Sequence, residues 1–190
     1  RKKFEEKEYV LNKRKKHFLI LACIELIILA GLRDYTIGAD TELYVKAIEY
    51  YRDLPSDKIL TASLIFPFDF EWGYFGLTKL CAWLNISNTT FLFIIAIMSY
   101  IPVFSYINKA SKHPLLSILI YFSFGYFSYS LGIFRQMIAI NIAIYSLKYI
   151  KENNLVKFII CIILAMGFHT TAIIVLPLYW LPKIDLRKHF

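Results

Sequence analysis

Two arginines, one histidine and three acids in this chain sit beside or inside apolar runs, where a charge needs a partner or a task. Arg135 and Gln136 open residues 132–149, GIFRQMIAINIAIYSLKY, which read as a transmembrane helix with a charge at its foot. An arginine at the bilayer centre costs ~2.5 kcal/mol or more, so Arg135 should face protein, water or an anionic ligand, or else snorkel to the interface. Arg33 follows the first apolar run, beside Asp34, and Asp40 and Glu71 lie in the polar stretch beyond it. His169 interrupts the last apolar run in GFHTT. The planar fork of arginine suits phosphate, and two arginines in a water-filled cavity can hold a diphosphate while negative charge grows on it as a leaving group. Histidine exchanges a proton near neutral pH, and Asp34, Asp40 or Glu71 could orient it or act as the base. Together these groups describe transfer from a phosphate-activated donor.

Each residue also has a structural reading. His169 could simply hydrogen-bond beside Thr170 and Thr171, and Asp40 could cap a helix. Tyr35, Tyr44, Trp72, Tyr74 and Tyr126 offer stacking faces for sugar rings, but aromatic residues also form belts at a membrane edge. Gln136, Ala139, Ala143 and Ser146 repeat at helical spacing, a narrow face that lets another helix approach closely.

The elements that must position these groups are apolar helices. Hydrophobic residues make up 58% of the chain and aromatic ones 17%, too apolar for a soluble domain of 190 residues. The expected class is all-α, a polytopic integral membrane protein with short re-entrant or interfacial helices. The net charge of +8 sits in short blocks between apolar runs, the pattern of membrane topology rather than of nucleic-acid binding. Cys23, Cys81 and Cys161 are widely spaced among apolar neighbours and read as small buried hydrophobes. Asp34 and Asp40, six apart across Gly38, make a poor cation site, so neither metal nor cofactor is expected. Because the chain begins at Arg1 and stops just past a basic patch, residues 1–190 are expected to form a single membrane domain within a longer polytopic protein.

In chain order, residues 1–16 carry eight Lys/Arg against three Glu and form a cytoplasmic segment. Residues 18–32 are a short apolar run containing Glu25, expected to turn inward or to be protonated. Residues 33–71 hold eight acids against four bases, an outer loop with turns at Gly31 and Gly38 and an amphipathic helix over 42–52. Residues 64–72, LIFPFDFEW, suit an interfacial belt, and 74–84 are half a span long, an interfacial or re-entrant helix. Spans follow at 91–107, where Pro102 predicts a kink, and at 115–127. Residues 155–181 would reach about 40 Å as one helix, but GFHTT and two prolines divide them, so a hairpin with His169 at its apex is expected. In that arrangement sixteen of the twenty-two Lys/Arg fall on one side, in 1–16, 108–114, 148–157 and 183–190. Arg33, Asp34, Asp40, Glu71, Arg135, Gln136 and His169 then share the other.

The succession GLRDYTIGADTELY, FEWGYFGLTKL, IFRQMIAINIAIYSLKYI and LAMGFHTTAIIVLPLYWL resembles, in order and spacing, the EpsG-type branch of bacterial Wzy polysaccharide polymerases. The resemblance runs from Arg33 to Trp180. It implies a multi-pass enzyme of the bacterial inner membrane, in contact with the lipid bilayer and with other proteins of polysaccharide export. Such an enzyme joins repeat units carried on undecaprenyl diphosphate, by glycosyl transfer at the outer face without a nucleotide sugar. His169, Asp40 and Glu71 are then the expected catalytic residues, and Arg33, Asp34, Tyr44, Arg135 and Gln136 the expected contacts to the undecaprenyl-diphosphate-linked oligosaccharide. Family members carry more helices than this chain, which would leave part of the lipid or acceptor site outside it. Two other readings share the chemistry. A flippase of lipid-linked sugars could grip diphosphate in the same way, though it should show paired repeats, and no convincing repeat is present. A glycosyltransferase using a polyprenyl-phosphate sugar would differ in having one phosphate on its donor.

The charge pattern predicts that a cysteine at Ser56 is labelled from outside the cell by a membrane-impermeant thiol reagent and that one at Ser111 is not. The reverse labelling would overturn the topology and scatter the constellation.

Overall fold

The computed structural model describes residues 2–59 and 70–183, and every regular element among them is helical. The expected belt at 64–72 falls largely outside the described residues, as does most of the basic stretch 183–190.

Helix α1 spans Lys2–Gly31 as one unbroken rod. The charged segment and the first apolar run, which differ so much in composition, are therefore one element. Lys, Glu, Leu and Ala are all good helix formers, and neither glycine nor proline intervenes before Gly31. Gly31 ends the helix without a turn conformation of its own; a Cβ there would lie 2.5 Å from the Phe93 ring. Glu25 is exposed rather than turned inward, on the side of α1 that faces Ile118 and Phe122.

Four helices form the body. Helix α1 packs on α5 (Asn88–Ala110), α5 on α8 (Phe134–Lys151), and α8 on α9 (Leu155–Met166). Helix α5 carries Pro102 within a continuous helix. It is the one described helix long and apolar enough to cross a membrane unaided. The expected span at 115–127 is a bent pair, α6 (Pro114–Ser123) and α7 (Tyr126–Gly132), meeting at 57°. Gly125, with φ +75°, makes the bend. The expected hairpin forms with His169 at its apex, but the returning arm, Thr170–Tyr179, is a 3₁₀ helix. At about 2.0 Å per residue that arm gains length over an α-helix, and a 3₁₀ run so long is unusual.

Helices α2 (Thr41–Arg52) and α4 (Trp72–Trp83) pack on each other, with short α3 (Ser56–Ile59) beside them. Arg52 Nη2 donates to the Ile86 carbonyl at 2.6 Å and Asn88 Nδ2 to Glu49 at 2.8 Å, tying the end of α2 to the start of α5. At the other end of α2, Thr41 Oγ1 donates to the Leu131 carbonyl at 2.8 Å. Tyr74, Ile48, Phe91, Phe134 and Ile138 form the core where this pair meets the bundle. Asn141 is fully buried in the middle of α8, donating to Ser99 O at 2.9 Å and to the Tyr121 hydroxyl at 3.1 Å. A lone Asn in an apolar helix is the one sequence signal for these bonds.

Lys15, Lys109 and Lys148 gather at one end. Lys15 donates to the Asn108 and Ser111 carbonyls at 2.7 and 2.6 Å, and Lys109 pairs with Glu152 at 3.5 Å. The opposite end holds the ends of α1 and α9 and the start of α8, hence Arg33, Arg135 and His169. All three cysteines are free and buried, as expected of small hydrophobes.

Gly38 joins these layers. It has φ +108°, and a Cβ there would lie 2.1 Å from the Leu131 carbonyl oxygen. Gly125 also has positive φ, but a Cβ there meets only the Tyr129 ring at an ordinary 3.4 Å. Gly38→Ala should therefore lower the thermal midpoint of the detergent-solubilised protein by several degrees, while Gly125→Asn, which tolerates the left-handed region, should change it little. Equal effects in a thermal melt would show that the contact with Leu131 is not a constraint.

Candidate functional site

Three segments far apart in the sequence converge at the end of the bundle away from Lys15 and Lys109. Glu71 stands at the N-cap position of α4 with an extended backbone, and its side chain makes no capping bond, which frees it to point elsewhere. Arg135 is the second residue of α8, which starts afresh after Ile133 breaks the path from α7. His169 is the extended residue between α9 and the 3₁₀ helix. Two glycines bring the first and third segments together. A Cβ on Gly73 would lie 2.7 Å from Gly167 O, and one on Gly167 would lie 2.7 Å from the Trp72 ring. This close approach lets Tyr74 N donate to Gly167 O at 3.0 Å.

Glu71 is the centre of the arrangement. Its Oε2 accepts from Arg135 Nη1 at 2.5 Å, and its Oε1 pairs with His169 Nδ1 at 2.8 Å and accepts from Thr170 N at 3.3 Å. The three side chains are 13%, 20% and 28% exposed for Glu71, Arg135 and His169, so the cluster is shielded yet reachable. Burial pushes the Glu71 carboxyl up, but the bonds from His169 and Thr170 and the charge of Arg135 outweigh it and hold the group below its ordinary value. Glu71 is thus ionised at neutral pH and can only accept. His169 Nδ1 must then be the donor, which fixes the tautomer and leaves Nε2 with its lone pair free in the neutral ring.

Arg135 sits in an aromatic box. Its Cζ lies 4.8 Å from the Phe70 ring, 5.3 Å from Tyr44 and 5.8 Å from Tyr74. Its Nε donates to the Tyr44 hydroxyl at 3.2 Å, so Nε and one Nη1 proton are engaged while the Nη2 donors make no bond among the described residues. Tyr44 and Tyr74 are buried, at 2% and 0% exposure, with their rings against the guanidinium. Tyr126 packs against Tyr121. Among the aromatic residues weighed as sugar platforms, Tyr35 and Trp72 are exposed.

The other expected site residues lie around this cluster. Arg33 is 8% exposed, donates to the Ala30 carbonyl at 2.5 Å and rests 5.8 Å over the Phe134 ring, against which Tyr44 also packs. Its Nε and Nη2 are closed off from solvent and have no hydrogen-bond partner among the described residues. Asp34 is exposed and accepts from Thr36 N and Oγ1 at 2.9 and 2.6 Å, bonds that hold its carboxyl below the ordinary range. Asp40 is the N-cap residue of α2 without a side-chain capping bond, near enough to Tyr44 to act on it electrostatically. Gln136 is outside the Glu71 network and lines a groove between α8 and the 3₁₀ helix. Sequence reasoning passed over Phe70 and the Thr170 amide; the run FEW hinted at the first, and nothing local at the second.

The EpsG family model matches residues 16–190. The chain belongs to the EpsG family. This is a Wzy-like polysaccharide polymerase family, and membership carries membrane association and a role in polysaccharide biosynthesis. No curated protein and no solved structure matches the chain.

A carboxylate whose value is lowered by folding stabilises the protein above its unfolded value, about 4.3, and loses that contribution as pH falls through the lower folded one. The thermal midpoint of wild type should therefore exceed that of Glu71→Gln near neutral pH, with the gap closing below about pH 4.3. A gap that widened on acidification would show that Glu71 is not held as a carboxylate.

Proposed function

We propose that this chain forms the catalytic end of a polysaccharide polymerase, a multi-pass protein of the bacterial inner membrane. It transfers an oligosaccharide from undecaprenyl diphosphate to an acceptor sugar at the outer face. The observation that carries the reading is the single carboxylate, Glu71, bonded to both Arg135 and His169. A carboxylate that orients an imidazole, next to an arginine whose Nη2 donors are unused among the described residues, is the equipment for deprotonating a hydroxyl beside an anionic leaving group.

In this mechanism His169 Nε2 takes the proton of the acceptor hydroxyl. The oxygen attacks the anomeric carbon of the donor, and the bond from that carbon to the diphosphate oxygen breaks, its electron pair leaving with the lipid diphosphate. Arg135 receives the growing charge through Nη2 while Glu71 and Tyr44 hold the guanidinium in place. Glu71 also stabilises the imidazolium that forms. Asp40 and the exposed Asp34 are assigned to the sugar hydroxyls, which their acids suit, and the exposed faces of Trp72 and Tyr35 suit sugar rings. Arg33, under Phe134, braces the end of α1 and adds positive potential behind the leaving group. Gln136 sits at the lipid side.

The membrane orientation belongs to the same proposal. The end with Lys15, Lys109 and Lys148 is cytoplasmic, and the end with the Glu71 cluster is outside. Helix α5, the apolar half of α1, the α6–α7 pair, α8 and the α9–3₁₀ hairpin lie in the bilayer. The separation of the lysine contacts from the Glu71 cluster supports it.

Turnover of the purified whole protein with lipid-linked oligosaccharide, read as longer lipid-linked chains, tests the reading. His169→Gln should lower kcat by ~10²-fold or more and flatten its pH dependence. Arg135→Lys should be damaged nearly as much as Arg135→Ala, because a single ammonium cannot serve Glu71, Tyr44 and a phosphate in one plane. Near-normal rate and an unchanged pH profile in His169→Gln would leave an acid as the base and sink this assignment.

A further inference from the structure

A groove of about 380 Å³ lies between α8 and the 3₁₀ helix. Both elements run in the same direction away from the Glu71 cluster, since α8 begins beside Arg135 and the 3₁₀ helix begins beside His169. Gln136 and Thr171 form the polar mouth of the groove, and Leu147 and Leu178 its far end. Eleven residues of α-helix separate the ends on α8, a run of about 16 Å. Ala139 and Ala143 keep the floor low. On the wall Ile174 is 78% exposed.

We infer that this groove holds the first part of the isoprenoid chain of a lipid diphosphate whose head lies at Arg135, an inference that rests on the polymerase reading. Three features select this occupant. The groove is apolar from its second turn onward, so it takes hydrocarbon. Its mouth residue Gln136 directly follows Arg135, whose Nη2 donors make no bond among the described residues, so a hydrocarbon that carries an anion at that end suits it. Its side is open along the helices, so a chain can enter laterally from the bilayer without the sugar head leaving the outer face.

A second groove, about 350 Å³ between α1 and α5, provides the contrast. It is similarly apolar but ends at Lys16 and Asn108, at the lysine-rich end of the bundle and away from the transfer chemistry. Apolar seams alone are thus common in this fold. The seam whose mouth residues, Gln136 and Thr171, follow Arg135 and His169 closely in the chain is the one suited to a reacting lipid.

Two measurements on the whole protein in nanodiscs test this. The first uses farnesyl diphosphate carrying a terminal diazirine as a photolabel. Labelling should map to residues 140–147 and 171–178, and should be competed by unlabelled farnesyl diphosphate far better than by phosphatidylglycerol. Equal competition by the phospholipid, or labelling no denser here than in the α1–α5 groove, would make this an ordinary lipid-facing seam and overturn the inference. The second fills the groove with Ile144→Trp. The KM for a long-chain donor should rise at least tenfold, while the KM for a donor with only two isoprene units and the kcat for either stay near wild type. Ile101→Trp, in the α1–α5 groove, is the control and should leave both KM values unchanged. Equal KM changes for long and short donors in Ile144→Trp would reject the groove. Specific labelling with no turnover in wild type would instead reject the polymerase reading and keep the groove, whereas turnover without labelling in the groove would do the opposite.

Discussion

The structure depends on one half-buried carboxylate finding its partners. Glu71 cannot be shielded as it is without compensation, because an ion removed from water loses several kcal/mol of solvation that only close, well-bonded partners return. Arg135, His169 and the Thr170 amide provide them. The same bonds cross-link the start of α4, the start of α8 and the apex of the last hairpin. Helices α2 and α4 are thereby held on the bundle by an electrostatic joint as well as by apolar packing.

Close backbone approach makes that joint possible. Gly73 and Gly167 let the α4 start lie against the hairpin apex, and Gly38 lets the α2 start lie against Leu131. Around the joint the aromatic box of Tyr44, Phe70 and Tyr74 excludes water from one side of Arg135 and leaves its remaining donors on the other. A guanidinium so placed is pre-aimed and pays little reorganisation when a negative charge develops beside it.

Charge is distributed along the bundle as well as within the site. Lysines satisfied by helix-end carbonyls or by Glu152 collect at one end, while at the other end Glu71 binds Arg135 and His169, and Arg33 rests on a ring face. Between them the helices are apolar on the outside, and inside the bundle the Asn141 amide donates to the Ser99 backbone carbonyl and the Tyr121 hydroxyl. A molecule built this way gathers a charged cluster at one end and shows apolar side chains along its length. The groove from Gln136 to Leu147 runs along that apolar length.

Much of this was determined by the chain locally. Apolar runs of helical length, the punctuation by Gly38, Gly125 and GFHTT, and the clustering of lysines between runs were enough to place the helices, the α6–α7 region, the hairpin apex at His169 and the common end shared by Arg135 and His169. The four motifs were enough to place the chain in its family. The partnership of charges was decided only by tertiary structure. Asp34, Asp40 and Glu71 are equivalent in sequence, but Asp34 turns back on Thr36, Asp40 makes no capping bond, and Glu71 alone reaches Arg135 and His169. Arg33 and Arg135 looked like one pair, yet they rest on different rings, and Tyr44 and Tyr74 became the lining of a box rather than open platforms. Periodicity reports which face of a helix is apolar and nothing about which side chains meet across 64 or 98 residues of chain. Those meetings depend on how closely backbones can approach, which here is decided by the missing Cβ atoms of a few glycines.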